Sequence, residues 1–170
     1  MKLPICTEDA EKGELCTECR EKLESGKINK NDVELSKILY KLRKKETIPE
    51  DVGLAKTETL EEENEEIVLA LVEGNPANFI GKGGRIIRLI SDKLGKDVRV
   101  IKNGDLIQIT NDLATPARAC GINKLYKPGN ETEKYITIPK EKKNEHNMSL
   151  EKIEKSINKI TGEEYKVKYI

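Results

Sequence analysis

The sequence predicts an α+β fold arranged as two small sheet-and-helix units in succession, and three observations predict it. Segments of helical and of strand periodicity alternate along nearly all of the 170 residues, so both element types are drawn from the same stretches of chain. Apolar residues make up 36% of the total, which supplies modest cores and falls short of one large core. Slid against itself by 67 residues, the chain brings Leu69 and Leu71 onto Ile136 and Ile138, Ile86 and Ile90 onto Ile153 and Ile157, and Gly95 onto Gly162. Duplication and chance matching of short patterns both give such an alignment. Under it, Gly81 and Gly84 meet Met148 and Glu151, so the second unit keeps the frame without the first unit's glycines.

The elements follow in order. Residues 31–44, NDVELSKILYKLRK, space Val33, Leu35, Ile38, Leu39 and Leu42 as one apolar face, with Asn31 or Asp32 as the cap. GLAKTETL alternates as a strand, the acidic run EEENEE reads as a solvated turn, and IVLALVE is short and apolar enough for a buried strand. Asn75 and Pro76 start a short helix that ends at Gly81. A second helix runs from Gly84 to about Leu94, with Ile86, Ile87, Ile90 and Leu94 on one side and Gly95 as its stop, and DVRVI is a strand. Beyond it, 105–119 is a helix broken near Pro116. GINKLY and YITI form a hairpin, with Pro128 and Gly129 central in a type II turn. Ser149 caps a last helix stopped by Gly162, and YKVKYI closes the chain as a strand.

The 31 basic and 31 acidic side chains cancel, so any electrostatic patch must be local. Three of the four cysteines lie within the first nineteen residues, too clustered for a disulfide framework. No apolar stretch approaches the roughly 20 residues of a membrane span, and MKLPICTEDAEKG has no apolar signal core. A reducing, cytoplasmic location without membrane association is expected.

The stretch FIGKGGRII carries the most specific chemistry. A dinucleotide fingerprint fails because Ile86 stands where the last glycine belongs, and a P-loop fails because Gly83 follows Lys82 where a hydroxyl is required. What remains is G-x-x-G, Gly81 to Gly84, joining two short helices. Glycines there let the chain reverse and let a phosphodiester approach the backbone, while N–H groups at the second helix's start attract phosphate. From Pro76 to Lys102 seven cations (Lys82, Arg85, Arg88, Lys93, Lys96, Arg99, Lys102) face two carboxylates, a local excess of +5. Arg85 and Arg88 equally suit a solvated helix face, and the isoleucines equally suit a core.

The pattern Ile80-Gly81-x-x-Gly84-x-x-Ile87 resembles the I-G-x-x-G-x-x-I signature of KH domains. The order helix, strand, strand, helix, helix, strand over 31–102 is similar to the type II arrangement. The resemblance implies that about four single-stranded RNA nucleotides are clamped. Gly81, Lys82, Gly83 and Gly84 would hold phosphates, Arg85 and Arg88 would contribute charge, and Ile80 and Ile87 would lie near the groove floor. The same glycine turn can also persist in a KH fold that binds protein.

Cys6, Cys16 and Cys19 form three quarters of a C-x-x-C…C-x-x-C pattern in which Asp9 occupies the remaining place. Soft thiolates at this spacing suit tetrahedral zinc, and a carboxylate can be the fourth ligand. A relic site, or a remote fourth ligand such as Cys120 or His146, fits the spacing as well. Cys120 otherwise reads as a small buried side chain and His146 as solvent-exposed.

PICTED, GKGGR, DLATPARACGIN and TGEEYKV together resemble archaeal NusA-like KH proteins over nearly the whole chain. Asp9 departs from that family's paired cysteines. The resemblance implies a cysteine knuckle at 1–28, a type II KH domain at 29–104 and a degenerate KH-like unit at 105–170. It further implies a non-enzymatic RNA-binding protein linked to transcription or ribosomes, with an adaptor docking on RNA polymerase or ribosome as the alternative.

Overall fold

A computed structural model of the chain describes residues 1–45 and 47–170. Two compact units emerge, Met1–Asn103 and Gly104–Ile170.

The first unit begins with two short helices, α1 (Thr7–Lys12) and α2 (Thr17–Glu24), followed by α3 (Lys30–Lys44). The N-terminal cysteine segment is part of this unit, because Ile5, Ala10, Cys19 and Val33 bury one another. The cap of α3 lies two to three residues earlier than the apolar period indicates. Asn29, not Asn31 or Asp32, is its cap, accepting the Asp32 amide while Asp32 accepts the Asn29 amide in a reciprocal capping box. Asp32 also ties the helix to the sheet. It is buried at 3% exposure, and its other oxygen accepts the Thr57 amide at 2.6 Å and the Thr57 hydroxyl at 2.9 Å.

Thr57 lies in β1 (Gly53–Glu62), which pairs antiparallel with β2 (Glu65–Glu73). The acidic run extends these strands and leaves only Glu63 and Asn64 in the turn, because the Glu62–Glu65 pair still sits in the ladder. Strand β2 is buried on both faces from Ile67 to Val72. Then come α4 (Pro76–Ile80), α5 (Arg85–Leu94) and β3 (Asp97–Lys102), and β3 pairs parallel with β2 to give the order β1-β2-β3. Parallel pairing requires a crossover, which α4 and α5 supply. The core joins Leu35, Leu39 and Leu42 of α3, Val68, Ala70 and Val72 of β2, Phe79 and Ile90.

The second unit holds α6 (Leu106–Ala114), the antiparallel pair β4 (Gly121–Lys127) and β5 (Glu131–Ile138), then α7 (Leu150–Thr161) and β6 (Lys166–Tyr169). Helix α6 ends at Ala114, as the proline at 116 forces Thr115 into an extended conformation. Strand β6 runs parallel to β5, so the order β4-β5-β6 repeats the first unit's topology. Edge strand β4 is exposed along almost its whole length, with Ile122, Leu125 and Tyr126 in water.

The ungapped shift of 67 residues holds for α5 and α7 and for β3 and β6, where Val100 maps onto Val167 and both face the core, but fails for β2 and β5. In β2 the residues packed with Ile90 are Val68, Ala70 and Val72, so Leu69 and Leu71 point the other way. In β5, Ile136 and Ile138 share a face with buried Val167, whose neighbours Lys166 and Lys168 are exposed. Matching faces and ladder partners pairs Ala70 with Ile136 and Val72 with Ile138, one residue off the sequence alignment. Period-two alternation makes such a slip invert the face, and an apolar β2 buried on both sides hides it in the sequence.

Glu133 clasps β5 to both neighbours, receiving Lys166 at 2.5 Å and Lys127 at 3.2 Å. The hydrogen bond from Lys166, then that from Lys127, holds its carboxyl at about 2, below the usual 4.5. A depressed carboxyl stabilises the fold fully above its unfolded pKa and loses that contribution as pH falls toward the folded one. Glu133→Gln should therefore weaken hydrogen-exchange protection in β5 and β6 at pH 7, and the difference from the parent should close between pH 4.5 and about 2.

Candidate functional site

The glycine turn is built by two helices that meet almost end to end. Asn75 caps α4 through the Ala77 amide, and Pro76 takes the first helical position. Phe79 is fully buried and anchors α4 to the core, whereas Ile80, expected at a groove floor, is 38% exposed. Gly81 has φ 75° and ψ 167°, a region open essentially to glycine alone. A Cβ there would stand 2.6 Å from Ile86 Cγ1. Gly83 also has positive φ, 62°, but faces open space.

The turn closes through Gly84 N–H donating to the Gly81 carbonyl at 3.0 Å, while Arg88 Nη2 donates to the Gly83 carbonyl at 2.7 Å. Arg88 thus reaches back one turn of α5 and pins the loop. Among the described residues, no acceptor within the chain meets the amides of Lys82 and Gly83. These amides stand at the start of a ten-residue helix, where partial positive charge gathers. Ile90 is buried, while Ile86 and Ile87 are half-buried against the core and brace the turn from below.

Of the seven cations from Pro76 to Lys102, Lys96 is engaged by Glu66 at 2.8 Å and by Asn31 at 3.0 Å. Among the described residues, Lys82, Arg85 and Arg88, on the turn and the first turn of α5, have no ion-pair partner; Lys93 stands at the far end of α5 and Arg99 in β3, away from the turn in the chain. The arrangement can receive an anion from three kinds of group at once: free amides, a helix start and uncompensated side-chain charge.

The second constellation lies in the same unit. The ligand atoms of Cys6, Asp9, Cys16 and Cys19 all fall within 4.8 Å of one another, with Asp9 and Cys19 buried and Cys6 and Cys16 exposed. Cys6 is the cap of α1 and Asp9 its third residue; Cys16 is the cap of α2 and Cys19 its third residue. Two helix starts therefore face one point, each giving a cap and a third-position ligand. The repeated C-x-x-D and C-x-x-C spacing was the signal for this geometry.

Hydrogen bonds already orient the set. The Cys6 amide donates to Cys19 Sγ at 3.4 Å, the Cys19 amide to Cys16 Sγ at 3.5 Å and the Cys16 amide to Asp9 Oδ2 at 3.0 Å. Burial alone would raise the Asp9 carboxyl, yet hydrogen bonds from the Cys19 thiol, the Cys16 amide and the Cys6 thiol hold it down to about 2. Burial pushes the Cys19 thiol up to about 12, against the Cys6 amide that favours its thiolate. At Cys6 the Asp9 amide favours the thiolate, but desolvation and the Asp9 carboxylate outweigh it and leave the thiol raised. Tetrahedral zinc with Zn–S near 2.3 Å places sulfurs about 3.8 Å apart, so three sulfurs and one oxygen at this separation fit a metal ion with small contraction.

The two remote ligand candidates are elsewhere. Cys120 is exposed rather than buried, just ahead of edge strand β4. His146 is half-buried rather than exposed: Met148 O and Tyr169 Oη hold its two ring nitrogens. Both belong to the second unit.

No protein-family model matches the chain, and no curated protein matches it. Among solved structures it is similar to one described as "Crystal structure of APE1850", at 25% identity over 69% of this chain and 88% of that one, with a TM-score of 0.53. That description names no activity.

The two turn glycines should respond differently to a methyl group. Gly81→Ala meets both Ile86 and a forbidden backbone region and should lower the unfolding free energy by about 2–4 kcal/mol. Gly83→Ala carries only the left-handed backbone cost of about 1 kcal/mol. Urea denaturation of the two variants measures the difference.

Proposed function

We propose that the chain binds single-stranded RNA through the Gly81–Gly84 turn and that its first unit is a type II KH domain. The observation that carries this reading is the pair of unpartnered Lys82 and Gly83 amides at the head of α5, beside the unpaired cations Lys82, Arg85 and Arg88. The order α3-β1-β2-α4-α5-β3, with one antiparallel and one parallel pairing, supports the fold assignment. Phosphates lie against the turn, and Lys82 and Arg85 add charge from its tip and from the first residue of α5. Arg88 acts by fixing the Gly83 carbonyl, which keeps the neighbouring amides facing outward. Ile80 and Leu89, each 38% exposed, offer aliphatic surface for bases. The second unit, with the same topology and no glycine turn, is a degenerate KH-like unit. The work of such a binder belongs to transcription or to ribosome-linked RNA metabolism.

Cys6, Asp9, Cys16 and Cys19 hold zinc in this reading. The ion's role is structural, since it locks α1 and α2, helices too short to persist alone, onto α3.

Replacing Lys82 and Gly83 together by Asp tests the RNA reading, since Gly83 faces open space and Asp tolerates left-handed backbone. Affinity for a short single-stranded RNA should fall by at least about tenfold, and the slope of log affinity against log salt should flatten by about 0.7 per lost phosphate contact. Unchanged affinity in a folded variant rejects it. For the metal, plasma emission spectrometry of the purified chain should find zinc bound stoichiometrically and Cys19→Ser should lose it. Zinc affinity should rise with pH across neutrality, by about tenfold per unit for each thiol proton displaced.

A further inference from the structure

Between α3 and the C-terminal end of α5 lies a groove of about 310 Å³ that the RNA reading does not use. Its floor is aliphatic, made by Ile38, Leu42 and Leu94, all of which pack on the unit's core. Its rim is cationic: Lys37, Lys41 and Lys45 from α3 and Lys93 from α5. Glu34 engages Lys37, at 3.1 Å. Among the described residues, Lys41, Lys45 and Lys93 have no ion-pair partner.

Helix dipoles favour cations in a last turn, which covers Lys41 and Lys93 taken singly. They do not account for Lys37, two turns before the end of α3, or for two helices turning lysines onto one apolar floor. Among the described residues, the groove's lining comes from the bodies and ends of α3 and α5, with no glycine turn and no cluster of free amides, so it lacks the phosphate cradle on which the RNA reading rests. An aliphatic floor ringed by mobile ammonium groups instead complements a bulky apolar side chain flanked by carboxylates.

We infer that this groove docks an acidic peptide segment of a partner protein, one apolar side chain on Ile38, Leu42 and Leu94 and flanking carboxylates on Lys41, Lys45 and Lys93. Such docking does not require RNA at the glycine turn. Helix α5 is ten residues long and so separates the glycine turn from the groove by about 15 Å, which lets both be occupied together.

The test is fluorescence anisotropy with a fluorescein-labelled peptide of glutamates around a single phenylalanine, using the full chain. Binding should weaken at least tenfold when that phenylalanine is replaced by glycine, and again when Lys41, Lys45 and Lys93 are all changed to Glu. Affinity for a short oligouridine should stay the same in the triple variant. Equal peptide binding by parent and variant, or no binding by either, overturns the inference. So does a triple variant that loses oligouridine instead, since the groove then belongs to nucleic acid. Should the triple variant fail to fold, carbodiimide cross-linking of the peptide to the parent chain decides. Adducts at Lys41, Lys45 or Lys93 support the groove, and adducts confined to other lysines overturn it.

Discussion

Asp32 is a carboxylate withdrawn from water in the first turn of a helix, and it is tolerated there because the chain surrounds it with donors. The Asn29 amide, the Thr57 amide and the Thr57 hydroxyl all point at it, and hydrogen bonds to a charged group are each worth about 1.5–3 kcal/mol. The same cluster extends sideways. Asn29 Nδ2 donates to the Thr57 carbonyl, Asn31 Nδ2 to the Thr59 hydroxyl, and Lys96 reaches Asn31 from the end of α5. The start of α3 is thereby fixed to the middle of β1 and to the crossover. Everything distinctive in the unit hangs on that helix: α1 and the cysteine cluster pack on one side of it, and α5 on another.

Much of this was readable because local rules and tertiary packing agree. Asn75-Pro76, Gly81, Gly95, Ser149 and Gly162 all mark helix ends, since each acts through its own backbone. The glycine turn was equally legible, as φ near 75° with ψ near 167° leaves almost no other residue. Where distant groups decide, the sequence was silent. Asn29 lies outside the apolar period, and beyond its local capping box with Asp32 it is held by Thr57, 28 positions on. His146 sits in a polar run, yet Tyr169, 23 positions later, draws it inward. The one-residue difference between β2 and β5 could not be seen because β2 is apolar on both faces, so either register satisfies the pattern.

The cysteine cluster shows how short segments join a fold that they could not form alone. Helices of six and eight residues have little stability of their own. Their apolar contribution is limited to Ile5, Ala10 and Cys19 on Val33, with partly buried neighbours such as Leu15 and Tyr40. Converging two helix starts on one point concentrates partial positive charge where three sulfurs and a carboxylate gather. That partial charge favours the Asp9 carboxylate, while burial and the carboxylate itself keep the Cys19 and Cys6 thiols raised, so a cation must displace their protons to bind.

Strand β4 shapes the molecule's behaviour in concentrated solution. With 31 positive and 31 negative side chains, the chain has no long-range repulsion to keep copies apart near neutral pH. An edge strand whose Ile122, Leu125 and Tyr126 meet water is therefore guarded only at close range. Lys124, exposed on the strand itself, does that guarding, because stacking two such edges would bring like charges together, whereas Lys127 is engaged by Glu133. Resistance to edge-to-edge association here depends on charge placed on one strand more than on the charge of the whole.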